Sequence, residues 1–366
     1  MVRTKRVAIL GAGTVGAEVV RILRERPDVR LTGVLVRDAD RPRSFAGWQE
    51  LVTTDVARVL AGAEIVVEVM GGVDTAVDLS LRALASGAVL VSANKAAVAE
   101  RWADFLPYLE RGLVHLEAAV MAGTPVVGPL THALRGSRPM RLDAVLNGTC
   151  NVMLAAMERG VAYQDALADA QRAGFAEADP TLDVDGIDAA HKLSVLARLA
   201  FDPGLAWTEV LARTRGIRGL SADRVAGARA GGRRIRLVGT IAPVEGRWEA
   251  RVRPVSLPDG HPLVTDGPGN AMAFVGDPLG SVLVRGPGAG GGATASGVVG
   301  DVLAALDGGP GPRPVTEPAP LPRVEAGPVP RAEAGPLPRA ETLAANDDGG
   351  ARVAPDEAET FLEVEA

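Results

Sequence analysis

The segment AQRAGFAEADPTLDVDGIDAAHK, residues 170–192, sets five carboxylates and one lysine among small residues. Acids at that density, interrupted by Gly174, Pro180 and Gly186, suit a loop that wraps a polar ligand before the chain enters a helix near Ile187. On that helix Asp188 and Lys192 are four residues apart, so both side chains leave one face and can converge on one small molecule. A carboxylate there can hold an ammonium group and a lysine can donate a proton. A solvated loop with an ordinary i to i+4 ion pair would carry the same residues, because such pairs are common and individually weak. The surrounding elements decide between the two.

The 366 residues, 47% hydrophobic and 23% charged, have an ordinary globular composition and are enough for two domains. A net charge of −6 and a pI of about 5.4 argue for solubility and against a basic surface for nucleic acid. With Cys150 as the sole cysteine, intramolecular disulfides and cysteine-based metal clusters are excluded, and a reducing, cytoplasmic location is expected. The apolar run after MVRTKR stops after four residues, and no later run is long enough to span a bilayer, so no membrane association is expected.

Residues 6–110 alternate short apolar runs (RVAIL, LTGVLVR, AEIVVEVM, AVLVSAN) with helical patterns, which predicts a Rossmann-type parallel sheet covered by helices. This α/β dinucleotide-binding domain is assigned to 1–130 and completed by 286–310. From about Thr131 the texture becomes α+β. Helices at NVMLAAMER, YQDALADAQ and IDAAHKLSVLARLAF and strands at RLDAVL, RRIRLVGTIA and WEARVRPVSL predict a mostly antiparallel sheet over 131–285. That domain is expected to bind substrate and to form a homodimer. From Gly311 the chain is expected to form no core, with ten prolines between Pro310 and Pro338. There an eight-residue unit recurs as APLPRVEA, GPVPRAEA and GPLPRAET, and could extend roughly 75 Å as polyproline. The closing ETFLEVEA could add an edge strand.

GAGTVG at Gly11–Gly16 follows a predicted strand and opens a helix, the context a dinucleotide fingerprint needs. Gly11 allows the tight turn, Gly13 lets backbone approach a pyrophosphate, and Gly16 permits close helix packing. Thr14 and Val15 begin the helix whose N-terminus faces the phosphates. The second strand ends at Arg37, where an NAD-selective protein places an acid; a guanidinium suits a 2′-phosphate and favours NADP over NAD. Asp38 follows directly, and a one-residue shift would restore the NAD pattern. EVMGG and SANKA each end a parallel strand, so Gly71, Ser92 and Lys95 are expected beside the nicotinamide, Lys95 reaching the substrate or the cofactor ribose. Lys95 could equally be an exposed helix-start lysine.

The 170–192 segment also resembles the homoserine dehydrogenase signature at every fixed position. VSANKA, LEAAVMAGTPVV, LNGTCNVML and HPLVTDGPGNAMAF leading into GPGAGGGATASGVVGDVL extend the resemblance over about residues 4–306. What it implies is NAD(P)-dependent interconversion of L-homoserine and L-aspartate 4-semialdehyde, a step toward threonine and methionine. It implies Lys192 as the acid that protonates the aldehyde oxygen, and Glu177 and Asp188 as substrate ligands with Asp183 as a further member. Carboxylates nearby would favour the charged lysine. The resemblance further implies a sodium or potassium ion on Glu117 and the carbonyls of Val120, Ala122 and Thr124, oxygens that suit a hard cation. Gly174 and Gly288 fall in the cofactor neighbourhood, although Gly288 could be only part of a packing turn. Many members carry a regulatory amino-acid-binding domain after the core, and the 56 residues from Gly311 are too poor in apolar residues to build one.

Two rivals remain open at the level of sequence: an acylating aldehyde dehydrogenase with Cys150 as nucleophile, and a nucleotide-sensing module whose proline tail recruits a partner. Cys150 lacks a base tied to it by any motif, and His132 and His191 stand elsewhere in the pattern. Cys150→Ser is therefore expected to keep most of its activity in a spectrophotometric assay with homoserine and NADP; loss of turnover would favour the acylating reading.

Overall fold

The computed structural model describes residues 4–322 and 341–342, which fall into two compact units. The first comprises residues 4–138, His191–Glu209 and Val284–Ala319. It opens with β1 (Lys5–Leu10), α1 (Thr14–Arg24), β2 (Val29–Leu35), α2 (Trp48–Leu51), β3 (Val52–Thr53), α3 (Val56–Leu60) and β4 (Ile65–Glu68). It continues through α4 (Asp74–Ala85), β5 (Val89–Ser92), α5 (Lys95–Glu100), α6 (Trp102–Leu109), β6 (Val114–His115) and α7 (Val127–Thr131). Val7, Ala8, Ile9 and Leu10 are all fully buried, which explains why β1 is a continuous apolar run: a parallel strand covered on both faces has no polar side.

The strands of this unit lie in the order β3-β2-β1-β4-β5-β6. β1 and β4 are parallel neighbours, with Leu10 opposite Glu68, and the connections reverse direction between them. A crevice opens beyond the carboxyl ends of strands at such a reversal, and the GAGTVG turn and the EVMGG loop both lie there.

The second unit holds β7 (Arg138–Val145), α8 (Gly148–Met157), α9 (Tyr163–Arg172) and α10 (Thr181–Val184). α11 (Ile187–Ala200) begins in it and, from His191, belongs to the first unit, as does the start of α12 (Trp207–Ala212). The second unit resumes with α13 (Ala222–Ala230), β8 (Arg233–Val244), β9 (Arg247–Pro258), β10 (Gly269–Asp277) and the first half of β11 (Gly280–Pro287). α14 (Gly291–Leu306) completes the first unit: Ala295, Val298, Val299, Val302 and Ala305 pack with Val7, Ile9, Val19 and Val20 in one core.

Of the second sheet, ordered β11-β10-β7-β8-β9-β12, the last strand β12 (Glu341–Thr342) pairs antiparallel with Val255 and Ser256. β8 runs antiparallel to both of its neighbours, β7 and β9. The alternating α/β and then α+β pattern read from the sequence is thus the observed architecture.

The structure divides the chain differently from the sequence texture. Residues 131–138 and His191–Glu209 go with the first unit, because α11 is tied there by the Arg198 guanidinium donating to the Ala99 carbonyl at 2.7 Å. The segment after Gly311 also departs from expectation. The N–H groups of Gly311, Val315 and Ala319 donate to the carbonyls of Gly112, Leu199 and Phe201, and Gly311, Pro312 and Pro314 are buried. Prolines stiffen this strap and the residues between them supply its donors, so it docks without a core of its own. Most of the eight-residue repeat, and ETFLEVEA, lie outside the described residues.

A buried ion cluster holds the second unit's sheet to α8. Glu158 at the end of α8 accepts from Arg234 Nε at 2.8 Å and from Arg236 Nη1 at 2.7 Å, with side chains 5% exposed for Glu158 and 1% for Arg236. Burial pushes the Glu158 carboxyl up, but the hydrogen bonds and positive charge of the two arginines outweigh it and leave it below the ordinary range. A depressed carboxyl stabilises the fold above its unfolded pKa and loses that contribution as pH falls through the folded value. Glu158→Gln is therefore expected to cost about 3 kcal/mol in urea unfolding at pH 7, the cost of breaking one side of a buried pair. The deficit should shrink as pH falls below about 4.3.

Candidate active site

In the second unit the N-terminus of α8 gathers the acidic segment. Asn147 precedes the helix and its Oδ1 accepts the Cys150 N–H at 2.8 Å, capping the first turn. Its Nδ2 donates to Asp183 Oδ1 at 2.7 Å and to Asp188 Oδ2 at 3.0 Å. The residues that follow pin three loops. Thr149 donates its hydroxyl to the Phe175 carbonyl at 2.7 Å, the Cys150 thiol donates to the Asp183 carbonyl at 3.2 Å, and Asn151 Nδ2 donates to the Gly269 carbonyl at 2.8 Å. Gly148 is required because a Cβ there would lie 2.7 Å from the Pro268 carbonyl oxygen.

The other acids separate cleanly. Asp185 is paired with Arg218 through both carboxylate oxygens, and Asp179 accepts the Thr181 N–H in a local turn. Both hold the loop's shape, which leaves Asp183 and Asp188 as the pair brought together and Glu177 exposed, its backbone carbonyl accepting from Gln171. Gly174 has φ +77° and ends α9, its N–H donating to the Gln171 carbonyl and that of Phe175 to Ala170, the wrap expected of a glycine just past a helix.

The first unit supplies a phosphate cradle. Gly11 has φ +105°, and a Cβ on Gly16 would lie 2.1 Å from the Gly11 oxygen, so both glycines are fixed by backbone packing. Gly13, in contrast, has open space where a Cβ would be, and so does Gly71. No side chain caps α1 and no acid lies in its first turn, so the N–H groups at Thr14, Val15 and Gly16 face outward uncontested. That arrangement fits a pyrophosphate. Gly291 packs on the methyl of Thr14, and buried Gly288 lies in the turn before α14.

Arg37 is exposed just past β2, and among the described residues no hydrogen bond or ion pair engages it. The Asp38 carboxylate turns back on its own loop, accepting the N–H groups of Asp40 and Arg41, while Arg43 donates to the Asp38 carbonyl. The Asp38 carboxylate is thus engaged within its own loop, while among the described residues the Arg37 guanidinium beside it has no hydrogen bond or ion pair.

Ser92, at the carboxyl end of β5, is only 2% exposed. Its hydroxyl donates to Glu68 Oε2 at 2.7 Å and accepts the Asn94 N–H, so the side chain is internal. Burial raises the Glu68 carboxyl, against the hydrogen bonds from Ser92, Met70 and Asn94. Asn94 also donates to the Gly72 carbonyl and caps α5, whose first residue is the half-buried Lys95. This buried network ties the ends of β4 and β5 together, and it went unread in the sequence. Lys192 is 8% exposed on α11, and its neighbour His191 stacks on Trp207 with ring centroids 4.4 Å apart and bonds Glu100 of α5 at 2.8 Å. His191 is thus a structural residue that ties the helices bearing Lys95 and Lys192.

Two family models match the chain: homoserine dehydrogenase over residues 125–303, and the homoserine dehydrogenase NAD binding domain over residues 11–111. The homoserine dehydrogenase of Corynebacterium glutamicum is 39% identical over 319 residues, 82% of this chain and 71% of that protein. The chain belongs to the homoserine dehydrogenase family. A solved homoserine dehydrogenase from Thiobacillus denitrificans superposes with a TM-score of 0.77 at 36% identity, covering 83% of this chain and 73% of that one. A hyperthermophilic archaeal homoserine dehydrogenase mutant, solved in complex with NADPH, gives 0.69 at 27% identity, covering 85% and 100%. Family membership makes the activity that of an NAD(P)-dependent oxidoreductase acting on a CH–OH group.

Homoserine dehydrogenase chemistry requires no thiol, and buried Cys150 acts here as a hydrogen-bonding part of α8. The cation ligands read from the family fall on an unusual turn. Met121 and Ala122 have φ of 55° and 54°, a left-handed pair that non-glycine residues adopt only when their surroundings force it. Val120, Ala122 and Thr124 are buried, and the Glu117 carboxylate accepts the N–H groups of Val126, Val127 and Gly128 at 2.6 to 2.8 Å. The Ala122 oxygen faces Gly297, and the Thr124 hydroxyl donates to the Pro287 carbonyl. A cavity of about 360 Å³ adjoins Glu117, lined also by His115, Thr131, His132 and Asp301. Burial pushes Asp301 up to about 7 and His115 down to about 4, so near neutral pH the imidazole is uncharged and the carboxyl is only partly ionised. Among the described residues no three His, Cys, Asp or Glu side chains are grouped to hold a metal ion, and no helix is long and apolar enough to cross a membrane.

Proposed function

We propose that the chain interconverts L-homoserine and L-aspartate 4-semialdehyde with Lys192 as the acid, protonating the aldehyde oxygen in the reducing direction. Glu177 and Asp188 receive the substrate ammonium, Asp183 supports Asp188, and Lys95 contacts the substrate or the cofactor ribose. The observation that carries this reading is the convergence of Asp183 and Asp188 on one amide, with Lys192 a single helical turn beyond Asp188 on α11. The amide that holds the two carboxylates adds no charge to compete with an ammonium, and a buried lysine one turn away meets the oxygen end of a short substrate.

The nicotinamide cofactor, when bound, supplies or accepts the hydride. Gly11, Gly13, Thr14, Val15 and Gly16 would hold its pyrophosphate, with Gly71, Gly174, Gly288 and the backbone at Ser92 bordering it. NADP is the preferred form, because Arg37 is exposed and unengaged among the described residues while Asp38 is occupied. A sodium or potassium ion on Glu117 and the carbonyls of Val120, Ala122 and Thr124 would set the turn they share; one carboxylate with carbonyls suits a monovalent ion better than a divalent one. The assembly is a homodimer formed through the second unit's sheet, beside which Leu279 and Leu283 stand 49% and 42% exposed. The location is cytoplasmic.

Lys192→Ala should lower kcat about 10²- to 10⁴-fold, the range for loss of a general acid, with the NADP dissociation constant little changed. Turnover at the parent rate would remove Lys192 from the mechanism. Arg37→Ala should lower kcat/KM for NADPH about tenfold to a hundredfold, the worth of a hydrogen bond to a charged group, and leave that for NADH nearly unchanged.

A further inference from the structure

We infer that Asn147 is a positioning residue that holds Asp183 and Asp188 in the arrangement that receives the substrate ammonium. The inference rests on the reading of those two aspartates as substrate-side carboxylates. Asn147 is 2% exposed, so water competes little for its hydrogen bonds. Its orientation is fixed by chemistry: the Cys150 N–H can be accepted only by the amide oxygen, which turns the nitrogen toward the acids. That nitrogen has two hydrogens, and both are placed, one on Asp183 Oδ1 and one on Asp188 Oδ2. The cap of α8 and the clamp on the carboxylates are therefore opposite ends of one planar group.

Neutrality is what distinguishes this clamp from an ion pair. A lysine or arginine in the same place would hold the two acids and also cancel the charge that attracts an ammonium group. An amide holds them and adds no charge of its own. Asp183 belongs to the short helix α10 and Asp188 to the first turn of α11, so the clamp also fixes the start of the helix that carries Lys192.

Two conservative variants separate clamp from cap. Serine and aspartate are both good helix N-caps and keep an acceptor for the Cys150 N–H. Serine is too short to reach both acids, and aspartate turns an oxygen toward them in place of a donor. The full chain carrying Asn147→Ser, Asn147→Asp or Asp188→Asn would be assayed for homoserine KM, kcat, NADP dissociation constant and Tm. For both Asn147 variants we expect a Tm within a few degrees of the parent and an unchanged NADP dissociation constant. Homoserine KM should rise about tenfold to a hundredfold, more than kcat falls. If aspartate prevents folding, serine alone decides. A parent-like homoserine KM in Asn147→Ser, or equal weakening of homoserine and NADP together with a collapsed Tm, would overturn the inference. Asp188→Asn distinguishes the two levels of failure. If it raises KM while the Asn147 variants do not, only the clamp is wrong; if it too leaves KM unchanged, the substrate reading fails with it.

Discussion

Two carboxylates that repel one another share a single donor, the side-chain nitrogen of Asn147. Each oxygen lies within 3.0 Å of that nitrogen, so the two are no more than about 6 Å apart. Like charges at that separation repel by about 3 kcal/mol at an effective dielectric of 20. The fold has to hold them against that repulsion, and the start of α8 contributes to it directly. Four polar residues at the start of α8, from Asn147 to Asn151 with Gly148 between, secure the loops at 175, 183–188 and 269. The buried Glu158 cluster then fastens the other end of the same helix to β8. α8 is thus braced at both ends within the second unit, and the acidic segment takes its shape from it.

The first unit solves a different problem, bringing backbone rather than side chains to a ligand. Close packing dictates Gly11 and Gly16, open space surrounds Gly13, and the N-terminus of α1 is left uncapped. Buried polar networks stiffen the surrounding strand ends: Glu68, Ser92 and Asn94 in one place, and Glu100 with His191 and Trp207 in another. Lys95 opens the helix that Asn94 caps, and Lys192 follows the histidine that Glu100 holds, so each lysine sits beside a residue with no freedom of its own.

Much of this was legible in the sequence, for identifiable reasons. Parallel strands buried on both faces leave continuous apolar runs, and a fingerprint glycine loop leaves fixed spacings, so the first sheet and the Gly11–Gly16 turn could be read directly. The helix start at Ile187 and the Asp188–Lys192 spacing were readable because helical period is local. Local spacing alone did not separate the acids, and only the family resemblance singled out Asp183 and Asp188: Asp179 and Asp185 are engaged by Thr181 and Arg218, partners that only the fold supplies. Asn147 left a partial signal, since an asparagine ahead of a helical run marks an N-cap, but its second hydrogen-bonding end faces residues 36 and 41 positions away. The strap after Gly311 escaped because composition reports the absence of a core and says nothing of docking onto one already built.

The central claim is that Asn147 and Asp188 act as one unit on homoserine. A double-mutant cycle of Asn147→Ser and Asp188→Asn, read as kcat/KM for homoserine, tests it most directly. The double variant is predicted to be little worse than the poorer single variant, a coupling of about 1 kcal/mol or more, as expected for residues in one hydrogen-bond network. Losses that simply add would contradict the account.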